Sequence, residues 1–166
     1  MKIELHLNAV PDFSIRTYDP HEDDVRSILM DACRAIGRTG KFVVSGFGQD
    51  VWPVDVETDL PVFLEQLPTG LRAVHEGLPA DIDFYEQGIE RSVTLQPADG
   101  GKYVATCTSR TGWQPSPMVE EIAREELEEM LSAARDAFVH TLAEMAPDLA
   151  RHPWIRQWLE SLPEKP

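Results

Sequence analysis

An alternation of apolar and polar residues on both sides of a glycine-rich turn dominates the middle of this chain. Between residues 80 and 109, apolar side chains recur at every second position, and Ala98-Asp99-Gly100-Gly101 interrupts the alternation. A period of two is typical of strands with one buried face, and an Asp-Gly turn between such strands favours a hairpin. A tight connection at Gln87-Gly88 precedes this hairpin. The segment 80–109 therefore predicts a three-stranded antiparallel meander.

The first quarter of the chain mixes strand and helix patterns. Residues 2–8 and 41–45 alternate or run apolar as half-buried strands do, and 13–17 is a candidate partner strand. Asp19 as N-cap, with Pro20 at the first helical position, predicts a helix start. The apolar rhythm then continues to Ile36.

The remaining segments predict further helices. A short helix is expected from Thr58 or Asp59 until Pro68 interrupts it, and a last one begins near Pro153. The longest helix is predicted over 117–146. The total is about four helices and five or six strands. With hairpins clustered along the chain, this predicts an α+β fold with a mainly antiparallel sheet, in a single domain over 1–166.

Acidic residues greatly outnumber basic ones. The chain of 166 residues has 29 Asp and Glu against 15 Lys and Arg, a formal net charge of −14. Such a charge repels nucleic acid and anionic membranes and attracts cationic surfaces. No apolar run is long enough to span a bilayer, and the first residues do not resemble a signal peptide. A cytoplasmic protein that binds neither nucleic acid nor membrane is expected.

No sequence motif for catalysis or cofactor binding occurs. The five histidines lack metal-ligand spacing, and Gly46-Phe47-Gly48 lacks the third glycine of a dinucleotide fingerprint. Cys33 and Cys107 are distant in sequence and belong to no paired-cysteine motif, which favours two small apolar core residues. We therefore expect no cofactor and no metal.

Two acidic segments contain neither Lys nor Arg: residues 50–65 and 76–90. Asp81 and Asp83 are two apart on a predicted strand, so both side chains leave the same face, and Tyr85 follows on that face. Carboxylates beside an aromatic ring suit a surface that binds Lys and Arg. The candidate residues for binding a basic protein partner are Trp52, Asp55, Glu57, Asp59, Asp81, Asp83, Tyr85, Glu86 and Trp113.

Three segments carry a resemblance to a class of proteins. They are Asp83-Phe84-Tyr85-Glu86-Gln87-Gly88-Ile89-Glu90-Arg91, Val51-Trp52-Pro53-Val54-Asp55 and Leu60-Pro61-x-Phe63-Leu64. Together they resemble small acidic bacterial immunity proteins, which neutralise a toxin by binding it. The resemblance implies a binding protein without a cofactor, whose partner is a basic toxin domain.

Three other interpretations remain open. The acidic clusters are also compatible with solvated surfaces that bind nothing. Asp81, Asp83 and Glu86, with His75, would serve a small metal-dependent hydrolase. The apolar stripe of the long helix over 117–146 would also suit the seam of a homodimer or another homo-oligomer.

Overall fold

The computed structural model describes residues 1–160, which form the expected α+β fold. Among these residues there are six strands and five helices. In chain order they are β1 (Lys2–Leu7), α1 (Val25–Ile36), β2 (Gly40–Ser45), α2 (Asp59–Glu76), β3 (Ala80–Phe84), β4 (Arg91–Ala98), β5 (Lys102–Ser109), β6 (Val119–Ala123), α3 (Arg124–Met145), α4 (Pro147–Ala150) and α5 (Pro153–Glu160).

The strands form two antiparallel sheets instead of one. β3, β4 and β5 are the predicted meander, and β6 extends it to a four-stranded sheet in the order β3-β4-β5-β6. β1 and β2 pair separately, from Lys2 opposite Ser45 to Leu7 opposite Gly40. The helices cover these sheets: α2 packs on β3, and α3 packs on β1 and on α2. Cys33 and Cys107 are buried and free, as the sequence predicts.

Helix α1 begins five residues later than Pro20, the predicted first helical residue. Asp24 is the N-cap, and its carboxylate accepts a hydrogen bond from the Arg26 N–H at 2.8 Å. Asp19 forms a local turn instead, in which its carboxylate accepts the His21 N–H at 2.9 Å. The predicted strand at 13–17 is also absent, since no residue of that segment pairs as a strand. Both Arg16 and Asp19 bond to Asp23, which holds this segment in a turn before the helix.

Helix α2 continues through Pro68 to Glu76, although the sequence predicts an end at this proline. A proline within a helix leaves the carbonyl four residues earlier without its usual donor. Here that carbonyl belongs to Leu64, and the indole Nε1 of Trp158 donates to it at 3.0 Å. The helix then ends at Gly77, whose φ of 72° is in the left-handed region.

The predicted long helix is shorter at its start, because residues 119–123 form strand β6. The Cys107 N–H donates to the Met118 carbonyl, and the Arg124 N–H donates to the Gly101 carbonyl, both at 2.9 Å. Pairing with β5 therefore replaces the first helical turns. The apolar stripe of α3, from Leu127 to Leu142, is buried in the core of the same chain. This stripe is not available as the seam of an oligomer.

Candidate functional site

Two of the three aromatic residues predicted to contact a partner, Trp52 and Trp113, are used inside the protein. Trp52 is 1% exposed and donates its Nε1–H to the Gly46 carbonyl at 3.2 Å, so its ring offers no contact surface to a partner. Trp113 is half-buried and its ring centroid lies 6.1 Å from that of Trp52. We therefore remove Trp52 from the candidate contact residues.

The two tryptophans enclose Arg91, which the sequence analysis did not single out. Its guanidinium carbon lies 3.6 Å from the Trp113 ring centroid and 4.7 Å from that of Trp52. Arg91 is 3% exposed, and its Nη1 donates to Gln49 at 2.7 Å. Burial lowers the pKa of Arg91. Cation–π contacts of this kind stabilise a guanidinium that is out of water, so these rings have a structural role.

Asp59 is a second predicted contact residue that is buried. It is 2% exposed, and its Oδ2 accepts the Asp55 N–H at 2.8 Å. Its Oδ1 has no hydrogen-bond partner among the described residues. The pKa of Asp59 is raised to about 6, mainly by burial and in part by the nearby carboxylates of Asp55 and Glu86, although the hydrogen bond from the Asp55 N–H lowers it. Asp59 therefore lies beneath the surface and is removed from the contact residues.

Asp55 is exposed but organises the start of α2. Its Oδ1 accepts the N–H groups of Glu57 and Thr58 at 2.7 and 2.8 Å, and its Oδ2 accepts the Thr58 hydroxyl at 2.8 Å. These bonds fix the backbone on which Glu57 is carried. A change at Asp55 would thus disturb the neighbouring site in addition to any direct contact.

Asp81 and Asp83 leave the same face of β3, as predicted from their spacing. Asp81 is exposed, whereas the Asp83 carboxylate accepts a hydrogen bond from the Arg110 Nη2 at 2.7 Å. At this edge of the sheet, the Gln66 side chain accepts the Asp83 N–H at 2.8 Å and donates to its carbonyl at 2.9 Å. Gln66 thereby replaces a strand on the outer side of β3. Because Arg110 follows β5, the ion pair with Asp83 partly neutralises the acidic segment 76–90 with a base from outside that segment.

The remaining candidates, Glu57, Tyr85 and Glu86, meet in one cleft. It lies between α1, α2 and the residues that follow β3, and its volume is about 360 Å³. This volume is within the range of small-ligand sites. We call it the α1–α2 cleft, and its lining residues are Arg26, Met30, Arg34, Glu57, Thr58, Pro61, Val62, Glu65, Tyr85 and Glu86.

One arginine is held at the wall of this cleft by an acid and a phenol. Arg26 Nε forms an ion pair with Glu65, and Arg26 Nη2 donates to the Tyr85 hydroxyl oxygen at 3.2 Å. The Tyr85 hydroxyl in turn donates to Glu65 Oε2 at 3.3 Å. Burial and then the Glu65 carboxylate raise the pKa of Tyr85, so the phenol retains the proton that it donates. No sequence pattern connects Arg26 to Tyr85, because 59 residues separate them.

The alternative of a metal-dependent hydrolase requires side chains that meet to hold a metal ion. Residues 1–160 contain no group of three or more His, Cys, Asp or Glu side chains placed to hold a metal ion. The His75 Nδ1 lies 2.5 Å from Glu128 Oε1 on α3, and Asp83 is paired with Arg110.

Among residues 1–160, every helix is too short or too polar to cross a bilayer.

The structure is an α+β fold with a cleft that is lined by acidic and aromatic side chains, among others. Nothing matched the chain in comparisons with protein-family models, with curated proteins and with solved structures. The resemblance to bacterial immunity proteins accordingly rests on the sequence segments that carry it.

Proposed function

We propose that this chain is a non-enzymatic cytoplasmic protein that binds a basic segment of a partner protein in the α1–α2 cleft. The observation that carries the proposal is the arginine already bound there, with Glu65 and Tyr85 as its acceptors. An acidic and aromatic surface that holds one guanidinium has the chemistry to hold another cation.

The charge around the cleft supports a cationic partner. Glu57 and Glu86 line the cleft, and exposed Asp55 and Asp81 belong to the same two acidic segments. Together with the net charge of −14, these carboxylates accelerate association with a positively charged surface and make it sensitive to salt. An immunity-type antidote to a basic toxin domain is the most specific form of this proposal.

The proposal is tested with a fluorescent nonalysine peptide and paired substitutions. Glu57→Gln with Glu86→Gln removes two carboxylates from the cleft and leaves Arg26 and Glu65 unchanged. The control, Glu125→Gln with Glu129→Gln, removes two exposed carboxylates from α3 and causes the same change in net charge. Fluorescence anisotropy at two salt concentrations measures the dissociation constants.

We expect the cleft variant to bind nonalysine about tenfold more weakly, since two partly screened charge pairs contribute about 1.4 kcal/mol in total. The control should weaken binding by about twofold or less, because its charges lie outside the cleft. Equal losses in the two variants would mean that the peptide responds to net charge alone. That result would contradict the proposal.

A further inference from the structure

We propose that Glu65 and Tyr85 form a guanidinium subsite of the α1–α2 cleft, which Arg26 fills until an arginine of the partner displaces it. This inference rests on the proposed function and adds the preferred side chain and the group that competes with it. Arg26 is thus a built-in competitor for the ligand.

The geometry favours guanidinium over ammonium. Arg26 uses two different nitrogens, Nε for Glu65 and Nη2 for the Tyr85 oxygen, and the Tyr85 hydroxyl also bonds to Glu65. A planar guanidinium presents several N–H groups in a fixed fork, whereas a lysine ammonium is a compact point charge. Two linked acceptors that each take a separate N–H therefore match arginine better than lysine.

The cleft has room for a second side chain beside the subsite. Its volume of about 360 Å³ is bounded by Met30, Pro61 and Val62, and Met30 is 40% exposed. These apolar groups suit the aliphatic stem of an arginine, which packs on apolar surface while its charged end binds acids. An incoming side chain can thus be accommodated while Arg26 moves away.

The charges of the cleft also favour an incoming cation. Its lining contains three carboxylates, from Glu57, Glu65 and Glu86, but two guanidiniums. One of the two, Arg34, lies 3.4 Å from Asp31, a residue outside the lining. The cleft therefore carries an excess of negative charge that a partner's arginine would neutralise.

Displacement of Arg26 requires little free energy. Its side chain is 56% exposed, and exposed ion pairs contribute about 0–1 kcal/mol. Arg26 is also the second residue of α1, where the positive end of the helix dipole disfavours a cation. An arginine that arrives with other contacts of a partner can replace it.

Neighbouring cavities give a partner chain a path through the cleft. One of about 490 Å³ shares Glu57 and Thr58 with it, and another of about 460 Å³ shares Glu65. The cavity of about 460 Å³ continues along α2, and the one of about 490 Å³ lies beside the loop that precedes α2. An extended segment can therefore carry its arginine into the subsite while its flanks occupy the adjoining cavities.

The test compares capped pentapeptides whose central residue, flanked by glycines, is arginine, lysine or neutral citrulline. The protein variants are Arg26→Gln, Arg26→Lys and the control Arg34→Gln, which changes the net charge as Arg26→Gln does. Binding is followed by NMR titration of ¹⁵N-labelled protein, whose unchanged spectrum away from the cleft verifies folding. A second series adds Tyr85→Phe to Arg26→Gln.

We expect Arg26→Gln to bind the arginine peptide about fivefold more tightly than the unmodified protein, the factor for removing a competitor that contributes about 1 kcal/mol. Arg26→Lys should show part of this gain without a change in net charge. Arg34→Gln should gain less than twofold, by roughly the screened effect of one charge. Tyr85→Phe should abolish the preference for arginine over lysine.

Three outcomes would overturn the subsite. The first is an equal gain in affinity for the arginine peptide in Arg26→Gln and Arg34→Gln. The second is a lower affinity for this peptide in Arg26→Gln than in the unmodified protein. The third is that Arg26→Gln does not bind the arginine peptide at a peptide concentration of about 10 mM. The nonalysine measurement does not depend on Arg26. If that measurement succeeds while the Arg26 variants show no gain, the guanidinium subsite fails and the proposed function stands.

Discussion

Replacement of Asp59 by asparagine should make the protein more stable at neutral pH, although it removes the negative charge of the first residue of α2. The native side chain is 2% exposed, and its Oδ1 has no hydrogen-bond partner among residues 1–160. A buried carboxylate with one unsatisfied oxygen is costly when it is charged. Asparagine keeps an oxygen that can accept the Asp55 N–H but carries no charge.

The size of the effect follows from the shift in the Asp59 pKa. Burial raises this pKa from 3.8 to about 6, a difference of about two units, which corresponds to about 3 kcal/mol. Asp59 also lies in the first turn of α2, where a negative charge gains up to about 1 kcal/mol from the helix dipole. The new amide nitrogen adds a donor without an evident acceptor. A net gain of about 1–2 kcal/mol above pH 7 is therefore expected.

The gain should depend on pH in a defined direction. Because folding raises the pKa, the unfolded chain loses the Asp59 proton at lower pH than the folded protein does. The stabilising effect of the protonated form is complete below about pH 4, declines by about 1.4 kcal/mol per unit up to about pH 6, and is lost above that. The difference between Asp59→Asn and the native protein should thus rise over this window and then level off.

Urea denaturation at several pH values between about 4 and 8 measures this difference. The control is Asp81→Asn, which removes an exposed carboxylate from β3 and changes the net charge equally. Its effect should be within about 0.5 kcal/mol at every pH. A difference for Asp59→Asn that is constant between pH 4 and 8, or a loss of stability above pH 7, would refute the reasoning.

Two further substitutions, Gly48→Ala and Trp113→Ala, test the packing around the loops, and Gly100→Ala is the control for the first. Gly48→Ala should destabilise the protein by about 3 kcal/mol or more, because φ is +81° and the new Cβ would lie 1.8 Å from the Ser116 carbonyl oxygen. At Gly100, φ is +73° and no atom lies within 4 Å of the new Cβ, so Gly100→Ala should lower the free energy of unfolding by only about 1 kcal/mol. Equal losses of stability in the two glycine variants would argue against the close approach of Gly48 to Ser116. Trp113→Ala should cost about 2 kcal/mol in urea denaturation, since it removes the ring 3.6 Å from the Arg91 guanidinium. A loss below about 0.5 kcal/mol would mean that this stacking contributes little.

Interactions between distant residues account for two of the elements that sequence patterns placed wrongly. The continuation of α2 through Pro68 depends on a hydrogen bond from Trp158, which is 94 residues from its acceptor Leu64. Strand β6 forms because its backbone pairs with β5, although its Glu-rich sequence favours a helix start. A local pattern contains no information about either partner.

In the candidate site too, some residues could be predicted from local sequence, whereas others depend on contacts between distant residues. Glu57, Tyr85 and Glu86 could be selected from the sequence because acidic residues near an aromatic one are visible within a short segment. The arginine that meets them comes from α1, and the burial of Trp52 and Asp59 depends on helices and loops packed around them. Proximity in the sequence therefore identified part of the cleft but not its charge balance.

The meander of β3 to β5 and the excess of acidic residues can be read from the chain alone, since hairpins pair neighbouring residues and charge is a property of composition. Which carboxylates remain exposed depends on folding. Asp83 bonds to Arg110 and Glu65 to Arg26, in each case across more than one element. The segments 50–65 and 76–90 contain no Lys or Arg, yet in the folded protein each has a carboxylate paired with an arginine from elsewhere in the chain. Packing brings these distant side chains to within hydrogen-bond distance.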